Sequence, residues 1–227
     1  MMQFPPLWMK GASLGERIAN VLRLRIVSGE IKPGSILSEN KIAKDFGTSR
    51  SPVRDAMKAL SADGLINLER MGAVVLGLDL KDIQELYDVR YLIESFAQQR
   101  IPEQNLENLV LTLNQIVDQM ELALKYQNQS EFAYQDLTFH ETIIIKTNHM
   151  RILNLWNGLR HLVMAVILVT TEEVFSHGDD HVEWVIEKHR KIIRGLQTKQ
   201  QAAIEKSVQE YFSDSKQTLN KAFPPSE

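Results

Sequence analysis

The sequence predicts a mainly α-helical chain in two parts, an N-terminal winged helix-turn-helix and a C-terminal antiparallel helical bundle. Three observations predict this. Residues 14–62 hold three short helical stripes separated by tight turns, and a β-type hairpin follows them. From Leu80 to Asn220 almost every stretch repeats apolar residues at helical spacing, with short polar breaks. The charge is divided between the parts. The whole chain carries −3, yet residues 1–79 hold 11 Lys and Arg against 8 Asp and Glu, and residues 80–227 hold 15 against 21.

In the first part, Leu14, Ile18, Val21, Leu22 and Ile26 form one amphipathic stripe that ends near Ser28-Gly29. Lys32-Pro33-Gly34-Ser35 is a turn. Ser38 is placed to cap a second helix with Ile42, Ala43 and Phe46 inward. Gly47-Thr48-Ser49 turns into a third helix. Ser51 is read as its cap and Pro52 as its first residue, because proline brings a fixed φ and no N–H. Val53, Ala56, Met57 and Leu60 then share one face, with Arg54, Asp55, Lys58 and Ser61 opposite. Asp63-Gly64 stops the helix. Leu65–Leu68 and Ala73–Leu76 read as strands around Glu69-Arg70-Met71-Gly72. Arg50 and Arg54 flank the helix start, where backbone N–H groups also favour anions. Such an end normally meets DNA. Arg17, Arg23 and Arg25 read as a solvated face.

The predicted domains are a flexible arm over 1–11, the winged unit over 12–79 and an all-helical effector-binding and dimerisation unit over 80–220. Helices are expected from Leu80 onward and at about 103–126, 130–146, 150–171, 180–196 and 200–219. The chain has no cysteine, which excludes disulfides, thiolate metal sites and thiol nucleophiles and fits a reducing cytoplasm. Its longest apolar run, Leu162–Val169, is far short of the ~20 residues of a membrane span. Met1–Lys10 has two prolines and no apolar core, unlike a secretory signal.

Polar residues interrupt three apolar stripes of the second part. Asp136 and His140 sit four apart beside Phe132, Phe139 and Ile143. His189 lies amid Val182, Val185, Ile186, Ile192, Ile193 and Leu196, and Tyr211 lies amid Ile204, Val208 and Phe212. Burying such groups costs free energy unless they are partnered, so they are expected to meet around a polar cavity. One Asp and two imidazoles suit a divalent metal, whereas a buried histidine on an apolar face is more often a hydrogen-bonded core residue. Arg90 and Glu94 suit either an i,i+4 ion pair or a ligand contact by Arg90. His177 and His181 read as a solvated loop entering a helix. Trp8, Trp156 and Trp184 read as packing residues.

The first part resembles the GntR-type winged helix-turn-helix in Ile31-Lys32-Pro33-Gly34, Leu37-Ser38-Glu39, Ser49-Arg50-Ser51-Pro52-Val53-Arg54-Asp55-Ala56 and Asp63-Gly64-Leu65-Ile66. The second resembles the FCD-type ligand-binding domain of the FadR subgroup, in Tyr87-Asp88-Val89-Arg90 with Glu94, Asp136 with His140, Trp156 and His189. Arg25–Gly29, Leu68–Val75 and Phe139–Ile144 resemble the gluconate-responsive branch of that subgroup. The resemblance covers about residues 12–219. It implies a homodimeric repressor on double-stranded, palindromic operator DNA, released by a small carboxylate, gluconate or a similar sugar acid. It implies DNA contacts from Ser38, Glu39, Asn40, Ser49, Arg50, Ser51, Arg54, Arg70 and Gly72. It also implies an effector site of Arg90, Asp136, His140, His189 and Tyr211, and a metal such as zinc on Asp136, His140 and His189.

Three departures from the family pattern matter. Asn40 stands where the family often has Arg, and His149 where it commonly has Asn. Tyr211 occupies the place of the last of the usual ligands, one Asp and three His. A protonated phenol is a poor ligand, since its reference pKa is ~10. Either three protein ligands and water hold a metal, or no metal binds and hydrogen bonds hold the effector. Two other functions fit the same residues: a metal-dependent enzyme in the helical part, or a DNA-binding protein whose helical part only dimerises. Inward carboxylates beyond Asp136 and a phosphate-binding glycine loop are not evident in the sequence, which weighs against the enzyme.

Overall fold

The computed structural model describes residues 4, 6–70, 72–101 and 103–223. It divides into two compact units, Met1–Leu78 and Asp79–Glu227. The first holds α1 (Leu14–Val27), β1 (Ile36–Leu37), α2 (Glu39–Asp45), α3 (Arg50–Ala62), β2 (Ile66–Glu69) and β3 (Gly72–Val75). The second holds α4 (Leu80–Gln99), α5 (Glu103–Lys125), α6 (Gln129–Lys146), α7 (Met150–Ser176), α8 (Asp179–Gln197) and α9 (Gln201–Ala222).

In the first unit α1 lies on α3, and the core is Ile18, Leu22, Val53, Ala56, Met57, Leu60 and Leu65, all 2 % exposed or less. Ser13 and Glu16 close a capping box at the start of α1. The sheet is antiparallel with order β1-β3-β2, and β3 pairs Val74 with both Ile36 and Asn67. Sequence periodicity misses β1, because two residues carry no alternation. The hairpin strands sit one residue from their expected bounds.

Two other expectations change. The third helix begins at Arg50 with Ser49 as its N-cap, so Ser51 is not the cap and Pro52 is the third helical residue. Any of the first turn's N–H groups lacks an intrahelical partner, so proline is tolerated there as well as at the first position. Arg23 is not solvated: it is 2 % exposed and bonds Asp63, the C-cap of α3, at 2.6 Å, and also Asn20. Arg25 pairs with Glu30 at the surface, and Arg17 is exposed. Within the segment expected to be a flexible arm, Pro6–Met9 forms a 3-10 turn, the Phe4 and Trp8 rings meet tilted at 5.7 Å, and Met9 Sδ accepts from Asn20. Residues 1–3 and 5 lie outside the described residues.

The second unit is built from helices joined by two or three residues, so neighbours run back along each other. α6 packs between α5 and α7, and α9 against α4, α7 and α8. The middle residue of three connections, Gln127, Asn148 and Lys199, takes a left-handed backbone that ends the helix before it. His149 caps α7 by accepting from the Ile152 N–H through Nδ1, which is the task an Asn would perform there. Gly195 lets α8 approach α9, because a Cβ there would stand 2.4 Å from Ser207 Oγ. α7 is long and apolar enough to cross a membrane by length and composition. Its Leu162–Leu168 stretch is instead buried within the unit.

Candidate nucleic-acid interface and candidate metal centre

The turn from α2 to α3 brings the predicted DNA-facing residues together. Ser38 caps α2 by accepting from the Lys41 N–H. Glu39, the first residue of α2, accepts from Arg50 Nε and Nη2 at 2.8 and 2.5 Å and from Arg54 Nε at 3.0 Å. Both guanidinium groups remain about half exposed while the carboxylate between them is 15 % exposed. The Arg50 hydrogen bonds, helped by Arg54, hold the Glu39 carboxyl below the usual carboxylate range. The result is a cationic edge with fixed geometry. Asn40, Ser49 and Ser51 are exposed on the same turn.

The hairpin loop presents Arg70 to solvent, and Met71 lies outside the described residues. Gly72 is buried. Its φ is +153°, and a Cβ would stand 2.3 Å from the Leu37 carbonyl oxygen. Its glycine is therefore required by the approach of β1, whatever the wing touches.

The second unit brings Asp136, His140, His189 and Tyr211 to one point from α6, α8 and α9. Asp136 is 8 % exposed, and both histidines are fully buried. One ligand atom from each of Asp136, His140 and His189 lies within 4.8 Å of the others. Asp136 Oδ1 is 3.6 Å from His140 Nε2 and 3.8 Å from His189 Nε2.

The partners of the other ring nitrogens fix the tautomers. His140 Nδ1 lies 2.5 Å from Glu94 Oε2, and His189 Nδ1 lies 2.8 Å from the Val185 carbonyl. Each Nδ1 therefore carries its proton, and each Nε2 presents a lone pair towards Asp136. Tyr211 donates its hydroxyl to His140 Nε2 at 2.8 Å. Asp136 Oδ1 and His189 Nε2 are buried without a hydrogen-bond partner, and the His140 Nδ1–Glu94 Oε2 pair is a close ion-pair contact rather than an aligned hydrogen bond. Two facing acceptors with no proton between them suit a cation, so the donor set could hold a divalent metal with three protein ligands if the Tyr211 hydroxyl turned away from His140 Nε2. Tyr211 is no fourth ligand at neutral pH, because burial raises its hydroxyl well above the usual phenol value.

Glu94 also accepts from Arg90 Nε at 2.9 Å, and both residues are 1 % exposed. Burial would raise the Glu94 carboxyl, but His140 and Arg90 outweigh burial and lower it. Burial keeps His140 neutral by lowering its pKa. When the imidazoles are protonated, burial of Asp136 is likewise outweighed, first by His189 and then by charge on His140 and Arg90, and the carboxyl sits at about 2. Arg90 thus makes the ion pair with Glu94 and also faces a cavity lined by Tyr87, Asp136, Lys188, Tyr211 and Ser215. About 30 Å³ of that cavity is open to the centres of water-sized molecules, room for on the order of two waters.

Sequence reasoning missed three members of this site. Sequence spacing pairs Glu94 only with Arg90, although it also lies against His140 Nδ1. Lys188 is 4 % exposed, and burial pulls its ammonium down to about 8. Burial pushes the Tyr87 hydroxyl up to about 12. Glu94 and Arg90 share a helix face four apart, which is a readable signal; Lys188, beside His189, gave none. His177 and His181 are exposed, their rings 5.1 Å apart where α7 turns into α8. Trp156 is buried and bonds Glu141, whereas Trp184 is exposed, under the Lys188 ammonium, rather than in the core.

Comparison with known proteins agrees with both halves. Residues 14–76 match the family "Bacterial regulatory proteins, gntR family", and residues 85–214 match the FCD domain. The chain is 41% identical over 211 residues to the gluconate operon transcriptional repressor of Bacillus licheniformis, covering 93% of this chain and 87% of that one. It is 42% identical, with the same coverage, to the protein of that name in Bacillus subtilis (strain 168). Among solved structures, E. coli McbR/YncC superposes with a TM-score of 0.68 at 17% identity, covering 92% of this chain and 97% of that one. A GntR regulator from Rhodococcus sp. RHA1 gives 0.66 at 23%, covering 90% and 96%. These two share the fold. The chain belongs to the GntR family of bacterial regulatory proteins, carries an FCD domain, and is a transcriptional repressor of that family.

Proposed function

We propose that the chain binds a palindromic operator in the cytoplasm as a homodimer and releases it when a small sugar acid, gluconate, enters the cavity of the FCD unit. Arg50, Ser51 and Arg54 enter the major groove, with Ser38, Glu39, Asn40 and Ser49 against the adjoining backbone and Arg70–Gly72 reaching towards the minor groove. Phosphate contacts supply most of the affinity, which falls with salt, and one arginine reads a guanine edge. The names of the 41–42% identical relatives support gluconate.

The observation that carries the effector reading is the convergence of Asp136 Oδ1 and two imidazole lone pairs beside a polar cavity. A divalent metal such as zinc on Asp136, His140 and His189 would supply a Lewis acid for an effector oxygen. Arg90 and Tyr211 flank it as hydrogen-bond donors. A six-carbon acid is larger than the two-water space, so binding must part the helices around it. A ligand that needs this opening favours one arrangement of the protein over another, which is what a shift in operator affinity requires. The test is calorimetry with gluconate on wild type and His189→Ala. Wild type is expected to bind and to lose its operator, whereas His189→Ala keeps the operator and loses the response. An unchanged induction curve in His189→Ala would refute the pocket.

A further inference from the structure

Among the described residues three cations are buried: Arg23, Arg90 and Lys188. Arg23 has Asp63, and Arg90 has Glu94. Among the described residues no carboxylate lies within 4 Å of the Lys188 ammonium, and Asp136 and Asp214 act on it only from farther off. Its ammonium is 3.3 Å from Ser215 Oγ and stands 4.3 Å above the Trp184 ring and 5.1 Å from the Tyr211 ring. Ser215 donates its own proton to the Tyr211 carbonyl, so its lone pair accepts from Lys188. An ammonium has three donors, and the aromatic faces attract it without neutralising it. A buried charge without a counter-ion is unfavourable, and this one borders the cavity.

Beside Lys188 the cavity is lined by Arg90, which is paired with Glu94, by apolar side chains such as Phe132 and Ile167, and by a row of hydroxyls. Thr170, Thr171, Ser215 and Thr218 line it with Asp136 and Tyr211. Thr170 and Ser215 spend their protons on their own helices. Their oxygens are therefore acceptors, suited to ligand hydroxyls and unsuited to a carboxylate. Of the two cations lining the cavity, Arg90 is held by Glu94, and Lys188 is the one without an ion pair.

We infer that Lys188 is the carboxylate seat of this cavity: an anionic polyhydroxy acid places its acid group on the Lys188 ammonium and its hydroxyls towards Asp136 and Tyr211. This rests on the cavity being the effector site. It makes Lys188 the residue that separates a sugar acid from the neutral polyol of the same length.

The full-length protein is titrated by calorimetry with sodium gluconate and with glucitol, as wild type, Lys188→Gln and Lys188→Arg, and each is assayed for operator binding without ligand. Wild type is expected to bind gluconate and to prefer it strongly over glucitol. Lys188→Gln is expected to bind gluconate on the order of 30-fold more weakly, to bind glucitol as wild type does, and to hold operator as wild type does. Lys188→Arg is expected to recover part of the preference. Equal gluconate affinity in wild type and Lys188→Gln would overturn this inference and leave the proposed function standing. Wild type that binds gluconate and glucitol equally would overturn it too. Wild type that binds no sugar acid would overturn both.

Discussion

The Tyr211 hydroxyl stands 2.8 Å from His140 Nε2, on the ring nitrogen that the Glu94 contact leaves unprotonated. The family resemblance implies an imidazole where this phenol lies. A phenol satisfies the His140 lone pair by donating a proton, whereas an imidazole there would add a lone pair for a metal. Tyr211→Phe should therefore leave His140 Nε2 buried and unbonded, and lower stability by about 1–3 kcal/mol in urea denaturation with chelator present. Tyr211→His should bind zinc at least about tenfold more tightly than wild type, since it adds a nitrogen ligand. Equal zinc affinity in the two proteins would mean that residue 211 does not face the metal position.

Zinc should raise the melting temperature of wild type, since a ligand of the native state stabilises by about 2.7 kcal/mol at a hundred times its Kd. Asp136→Ala should remove that rise and leave operator binding by the first unit intact. A zinc-dependent rise of equal size in Asp136→Ala would place the metal elsewhere.

The Asp136 carboxyl also sets an acid limit. Its pKa is held at about 2, below the ordinary aspartate range, so its ionised form stabilises the native state. That contribution, about 2 kcal/mol, is fully present above pH 4 and is lost as pH falls through 2. In metal-free protein, the stability gap between wild type and Asp136→Asn should narrow across that window. A gap independent of pH between 4 and 2 would contradict the carboxylate's part in the cluster.

Arg23 and Asp63 lie forty residues apart and join α1 to the end of α3 at 2.6 Å. Asp63→Ala strands a buried guanidinium and should cost about 3–5 kcal/mol. Replacing both residues by apolar ones should cost much less, because no charge is then left unpaired. Denaturation of the two variants separates these outcomes, and equal losses would argue that the pair acts only through packing.

Glu39 fixes the directions of Arg50 and Arg54 but adds negative charge next to the DNA. Glu39→Ala should therefore lower operator affinity relative to scrambled DNA by roughly tenfold, while binding to scrambled DNA holds or strengthens. Shift assays on both duplexes test this. An unchanged ratio would show that the arginines need no carboxylate to aim them.

Much of this is legible in the sequence, for a physical reason. Val53, Ala56, Met57 and Leu60 face inward, and Asp136 and His140 share a face, because helical spacing is a local property of one segment. Glycine and proline signals located the turns for the same reason. What escaped was long-range or short. The burial of Arg23 depends on Asp63, which no spacing rule links to it. β1 is too brief to alternate. The start of α3 shifted by two residues because proline fits more than one position of a first turn. Lys188 was invisible because lysine is an ordinary neighbour on a charged helix, and only the packing of α9 against α8 closes over it.

The central claim joins a cationic α3 edge to a ligand site in the FCD unit. The most direct test is a shift assay of the full chain on the DNA upstream of its own gene, with and without gluconate, beside Arg54→Ala. The wild type should bind and let go on adding gluconate, and Arg54→Ala should fail to bind while still taking up gluconate. Wild-type binding that gluconate leaves untouched, or an Arg54→Ala protein that binds as tightly as wild type, would contradict the account.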